Sequence, residues 1–225
     1  MAVRLNEIHP SLVHFPIALM PAAVGADLLA NATDSDRLAE AGRVLMPIAA
    51  GSAAVSAVFG LIAAVEAKAE GKAADLLVTH RNMNLALTAV STLMAAYRMR
   101  QRRAGAGYLA LGLAGLAGMS YSAYLGGKMV YEHGIGVKPA DGLRDGDSPE
   151  VTPANLGEVA RRAVDDVQQA IPPIVDDARA GRIVPSLLDD VENPTAAPPG
   201  ATSRGRTSDP GLAPPEGAGA PESMP

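Results

Sequence analysis

Cysteine is absent from the chain, which excludes disulfides, thiolate metal centres, iron–sulfur clusters and covalent c-type haem attachment through a C-x-x-C-H motif. Any metal or haem must therefore be held without a thiolate ligand. Aromatic residues make up only 3% of the chain, and histidine occurs four times. Motif signatures are missing as well: there is no H-E-x-x-H, no P-loop and no Ser-His-Asp arrangement. No paired acid and base stands beside a nucleophile, which argues against an enzyme in its own right, and nothing points to a nucleic-acid partner.

Charge is missing from long stretches of the first half. Four apolar segments stand out, Leu12 to Asn31, Val44 to Val65, His80 to Tyr97 and Tyr108 to Leu125, and the second and fourth contain no charged residue. About 20 apolar residues cross roughly 30 Å of hydrocarbon in a helix, so the expected fold is all-α, a four-helix transmembrane bundle over residues 1–138. The first segment carries Asp27 and the third is short after Arg81, which predicts tilt, distortion or shielding by neighbours. A soluble bundle would need a polar face on each helix, and AAGSAAVSAVFGLIAAV offers only Ser and Gly. A cleaved signal peptide is set aside, because Pro16, Pro21 and Asp27 interrupt what should be a clean apolar run. The Ala- and Gly-rich character of the segments lets backbones approach closely and is a packing signal.

The rest of the chain has the opposite character. Residues 1–138 hold 12 basic and 9 acidic side chains, whereas residues 139–225 hold 7 basic and 15 acidic, so the tail alone makes the protein acidic. Its 14 prolines and polar composition predict disorder from about residue 192. Between Thr152 and Val191, Leu156, Val159, Ala163, Val167 and Ile171 fall at helical spacing. One or two amphipathic helices are expected there, over 153–171 and 174–191, broken at Pro172-Pro173.

With four crossings, the N-terminus, the Glu66–Thr79 loop and the tail share one side of the membrane. Arg98, Arg100, Arg102 and Arg103 cluster in one tight turn on the other side. The positive-inside tendency then makes that turn cytoplasmic and puts both termini outside, in a multi-pass membrane protein. The same crossing pattern gathers His9, His14, His80 and His133 at one end of the bundle, with Glu66, Asp75, Asn82, Asn84, Tyr124, Lys128 and Tyr131 beside them. Such a polar rim is also what interfacial side chains make at headgroup level. Asp27 lies 13 residues beyond His14, about 20 Å along a helix. It belongs to a different site, pairing with Arg37 or Arg43, relaying protons or marking the helix end.

HPSLVHFPIAL (His9 to Leu19), THRNMN (Thr79 to Asn84) and YLGGKMVYEHGIGV (Tyr124 to Val137) resemble the signature stretches of a bacterial membrane family known as domain of unknown function 2231. The resemblance covers roughly residues 7 to 138. His9, Pro10, His14, Pro16, Gly126, Gly127, His133 and Gly134 match its motifs. It implies a four-helix membrane domain similar to modules found beside or fused to c-type cytochromes and Rieske-type redox domains, and it carries no catalytic residues over.

Three functional readings follow. The first is a redox-associated membrane subunit binding b-type haem through two imidazoles drawn from His14, His80 and His133, with His9 in the same cluster. The second is a copper or zinc site using three or four of these histidines, with Glu66 or Asp75 nearby. The third is a membrane scaffold whose acidic tail recruits a redox protein or other membrane partner, the amphipathic stretch Leu156 to Ile171 docking in a groove or on the membrane surface.

Overall fold

The structure, a computed structural model, describes residues 3–137, 140–143 and 149–187. It is all-α apart from one pair of two-residue strands. A strand β1 (Val3–Arg4) and a single 3-10 turn (Leu5–Glu7) lead into helices α1 (Ile8–Leu12), α2 (His14–Thr33), α3 (Asp36–Glu66), α4 (Lys72–Arg100) and α5 (Ala106–His133). Strand β2 (Glu150–Val151) and helix α6 (Leu156–Arg179) follow. The expected disorder beyond residue 192, and the end of the expected helix 174–191, lie outside the described residues.

Each bundle helix runs past the apolar segment that announced it, because a charged first or last turn does not stop a helix. Helix α3 begins eight residues earlier than its apolar run: the Ser35 hydroxyl accepts from Leu38 N, and Asp36 stands in the first turn. Asp34, with φ 53°, closes α2 just before. The interruption between α1 and α2 at Val13 follows from Pro16, which has no N–H for the Leu12 carbonyl. Helix α5 includes His133 and ends at Gly134, whose φ of 64° favours glycine.

Three of the helical segments are long and apolar enough to cross a membrane, Ile8–Thr33, Asp36–Glu66 and Ala106–His133. Helix α4 is as long but carries Lys72, Asp75, Arg81, Arg98 and Arg100. Protein rather than lipid meets several of these: Arg98 is fully buried, and Asp75 and Arg81 are engaged by the tail.

The two helical hairpins, α1–α2 with α3 and α4 with α5, repeat one another. His9 and His80 are 71 residues apart, and so are Asp27 and Arg98. Ser56 and Ser122, and Gly60 and Gly126, are each 66 apart. The same offsets relate Ala23 to Met94, Val24 to Ala95 and Met46 to Gly112, all buried in the bundle. Gly112 sits against Val24 and Met94 with no room to spare.

The first part of the tail folds back onto the bundle. Strands β1 and β2 pair antiparallel, Val3 with Val151 and Arg4 with Glu150. Helix α6 then lays Val159, Ala163 and Val167 on Leu5, Phe59 and Ile62. The expected break at Pro172-Pro173 does not occur, and α6 is one helix through both prolines. The carbonyls that lose their donors belong to Gln168 and Gln169, and these residues and both prolines are exposed. Water can take over the two missing hydrogen bonds, so the helix continues.

Candidate functional site

His9 lies on α1 and reaches α3, where its Nδ1 is 3.0 Å from the carbonyl oxygen of Ser56. One turn further along α3 is Gly60, and a methyl group built there would stand 3.0 Å from His9 Cε1. His80 on α4 meets α5 in the same way: its Nδ1 is 2.9 Å from the Ser122 carbonyl oxygen, and a methyl at Gly126 would stand 3.3 Å from Cε1. A serine carbonyl and a glycine four residues later thus form a cradle for one imidazole in each hairpin.

The cradles also fix the tautomer. A carbonyl oxygen only accepts, so Nδ1 carries the proton in both rings and Nε2 keeps its lone pair. Asn84 Nδ2 lies 3.2 Å from His80 Nε2 but closer to two other acceptors, His80 O at 2.8 Å and Ser122 Oγ at 2.7 Å. An amide has two hydrogens, so the contact with Nε2 is the weakest of the three.

The other expected site residues are placed differently. His14 is exposed on the first turn of α2, with only the Ser11 carbonyl 3.4 Å away. His133 is half-buried at the end of α5, and Glu66 is buried at the end of α3. Among the described residues no group of three or more His, Asp or Glu side chains is placed to hold a metal ion.

The residues flanking His80 hold the tail. Arg81 pairs with Asp177 at 2.7 Å, Thr79 Oγ1 accepts from Ser186 N at 3.0 Å, and Asn82 Nδ2 donates to the Ile183 carbonyl at 2.8 Å. Arg182 bridges Asp177 and Asp75 at 3.1 and 2.8 Å. No local signal announces contacts between residues about a hundred positions apart.

At the opposite end of the bundle Asp27 and Arg98 are both 0% exposed and form an ion pair. Arg98 Nε lies 3.0 Å from both carboxylate oxygens, and Nη2 lies 2.7 Å from Oδ1. Nη2 also donates to the Ala39 carbonyl at 2.5 Å, and Nη1 donates to the Gln101 carbonyl at 2.6 Å. This corrects the expectation that Asp27 pairs with Arg37 or Arg43 or marks a helix end. It also withdraws Arg98 from the surface cluster, and Arg103 is itself paired with Asp34 and Asp36. Gly42 is what lets the carboxylate in, since a methyl there would collide with Asp27 Oδ1. Gly42→Ala is expected to lower stability by about 1–3 kcal/mol or more, read as a lower melting temperature in detergent. Gly25→Ala, where a methyl meets nothing within 4 Å, should melt no lower than the wild type.

Residues 6–139 match the family described as predicted membrane protein (DUF2231). No curated protein and no solved structure matches the chain.

Proposed function

Because the chain belongs to the DUF2231 family of predicted membrane proteins, we propose that it is a membrane-embedded redox-associated subunit that binds b-type haem between its two hairpins, with His9 and His80 as axial ligands. The observation that carries this reading is the repeated cradle, Ser56 and Gly60 for His9, Ser122 and Gly126 for His80. Metal-ligating imidazoles characteristically donate their other N–H to a carbonyl, which orients the ring and raises its basicity. Haem iron is satisfied by two axial side chains, whereas zinc sites use three or four protein ligands. A pair of like-held imidazoles, one from each copy of a repeat, suits the first chemistry. His14 and His133 then serve no ligand role.

In this reading α4 is the fourth crossing, its polar turns covered by the tail and by Asp27. The histidine end faces away from the cytoplasm of a bacterial inner membrane, on the strength of Arg100, Arg102 and Arg103 around the short α4–α5 connection. The test is the absorption spectrum of the full-length protein in mild detergent, oxidised and dithionite-reduced, after expression with haem supplied. A Soret band should be lost in His9→Ala and in His80→Ala and kept in His14→Ala and His133→Ala. Absence of any band in the wild type, with hemin titrating nothing, would end the haem reading.

A further inference from the structure

Helix α6 uses only part of its apolar face against the bundle. Val159, Ala163 and Ala170 point inward with Asp166, whose carboxylate pairs with Arg162 at 3.1 Å. A second set, Leu156, Ala160, Val164, Ile171 and Val175, recurs at spacings of four and seven residues and is exposed, Val164 at 55% and Ile171 at 51%. At about 100° per residue this second stripe lies about 90° around the helix from the buried one, so it occupies the flank of α6 and not its outward face.

The charges on α6 are ordered about that flank. Arg161 and Arg179 are 18 residues apart, five full turns, and both sit at the edge of the open stripe. Glu158, Asp165 and Asp176 fall about 40–60° further round, near the centre of the polar face. Long basic side chains bordering an apolar strip, with acids away from it, is the charge order of a helix lying in a lipid interface, where arginine stems cover apolar surface and the heads reach phosphates. The surroundings agree. Phe59 and Ile62 of α3, on which α6 rests, are flanked by the exposed Val55 and Val58 of a membrane-crossing segment. The Arg81–Asp177 and Arg182–Asp75 pairs tie the C-terminal end of α6 and the residues after it to the neighbouring helix α4.

We infer that α6 is an interfacial helix, held against the bundle by its inner face and sunk by the Leu156–Val175 flank into the headgroup boundary of the bilayer. The occupant of that flank is lipid. This inference does not depend on haem.

The chain contains no tryptophan, so one introduced residue is a sole reporter. Full-length Val164→Trp, Ile171→Trp and, on the polar face, Asp165→Trp are each placed in phosphatidylcholine vesicles with and without brominated acyl chains, and also exposed to aqueous acrylamide. All three sites are exposed, so folding is unaffected. The expected result is blue-shifted emission at positions 164 and 171, largely lost on bromination and little affected by acrylamide, with the reverse for position 165. Quenching at 164 and 171 by acrylamide alone would overturn the inference by showing a free aqueous surface. Blue-shifted emission quenched by neither agent would overturn it by showing that a second copy or another part of the chain covers the flank.

Discussion

Arg98→Ala is expected to destabilise the bundle by about 3–5 kcal/mol, the cost of leaving one member of a buried ion pair without its partner. The carboxylate of Asp27 is fully buried and receives three donor contacts from Arg98 alone, so its removal strands an anion where water cannot reach. The Ala39 and Gln101 carbonyls lose their donors at the same time. Asp27→Asn should cost a comparable amount from the other side, since a guanidinium does not lose its proton. The double variant Asp27→Asn, Arg98→Met should recover much of the loss, because a buried pair replaced by neutral groups is often close to neutral in stability. Melting in detergent distinguishes these outcomes. An Arg98→Ala protein that melts with the wild type would show that the pair is solvated and the two helices splayed at that end.

The ion pair also shows why parts of this fold escape a reading of the sequence. The charge-free runs in α3 and α5 announce themselves, since nothing but an apolar surrounding suits them. Asp27 announces only a cost. Its partner is 71 residues away, next to Arg100, Arg102 and Arg103, where an arginine reads as part of a loop that sets membrane orientation. Only the packing of α2 on α4, with Gly42 clearing space on α3, tells Arg98 from its neighbours.

The repeat is hidden for a related reason. Its two copies share identity at His9 and His80, Ser56 and Ser122, and Gly60 and Gly126, but the offset changes across the turn of the hairpin, so no fixed period registers. Gathering of the four histidines at one end followed from counting crossings. Which two find a serine carbonyl did not, because that depends on which helix face each occupies: His9 and His80 turn onto the next helix, while His14 faces out. In the tail, periodicity located α6 but the proline rule misjudged its length, since exposure of Gln168 and Gln169 is a tertiary fact. The same contacts alter the scaffold reading. Part of the face expected to recruit a partner is already spent on Leu5, Phe59 and Ile62, which leaves only the flank of α6 for anything else.

Filling the cradles is the change expected to disturb the candidate site most. Gly60→Leu and Gly126→Leu place a branched side chain where even a methyl comes within 3.0 and 3.3 Å of an imidazole carbon, so His9 or His80 must leave its serine carbonyl. Overpacking of this kind costs about 1–3 kcal/mol, a loss the bundle can survive while the ring is expelled. Diethyl pyrocarbonate labelling read by mass spectrometry follows the rings without reference to any cofactor. In the wild type His9 and His80 should react slowly and the exposed His14 quickly. In Gly60→Leu, His9 should become as reactive as His14 with His80 unchanged, and Gly126→Leu should do the converse. Gly51→Leu and Gly127→Leu, where a methyl meets nothing within 4 Å, should leave both protected. If haem is bound as proposed, the two cradle variants lose the Soret band and the two controls keep it. Deprotection without any haem signal in the wild type would leave the cradles real and the haem assignment wrong, while protection that survives Gly60→Leu and Gly126→Leu would mean that the glycines are not what seats the rings.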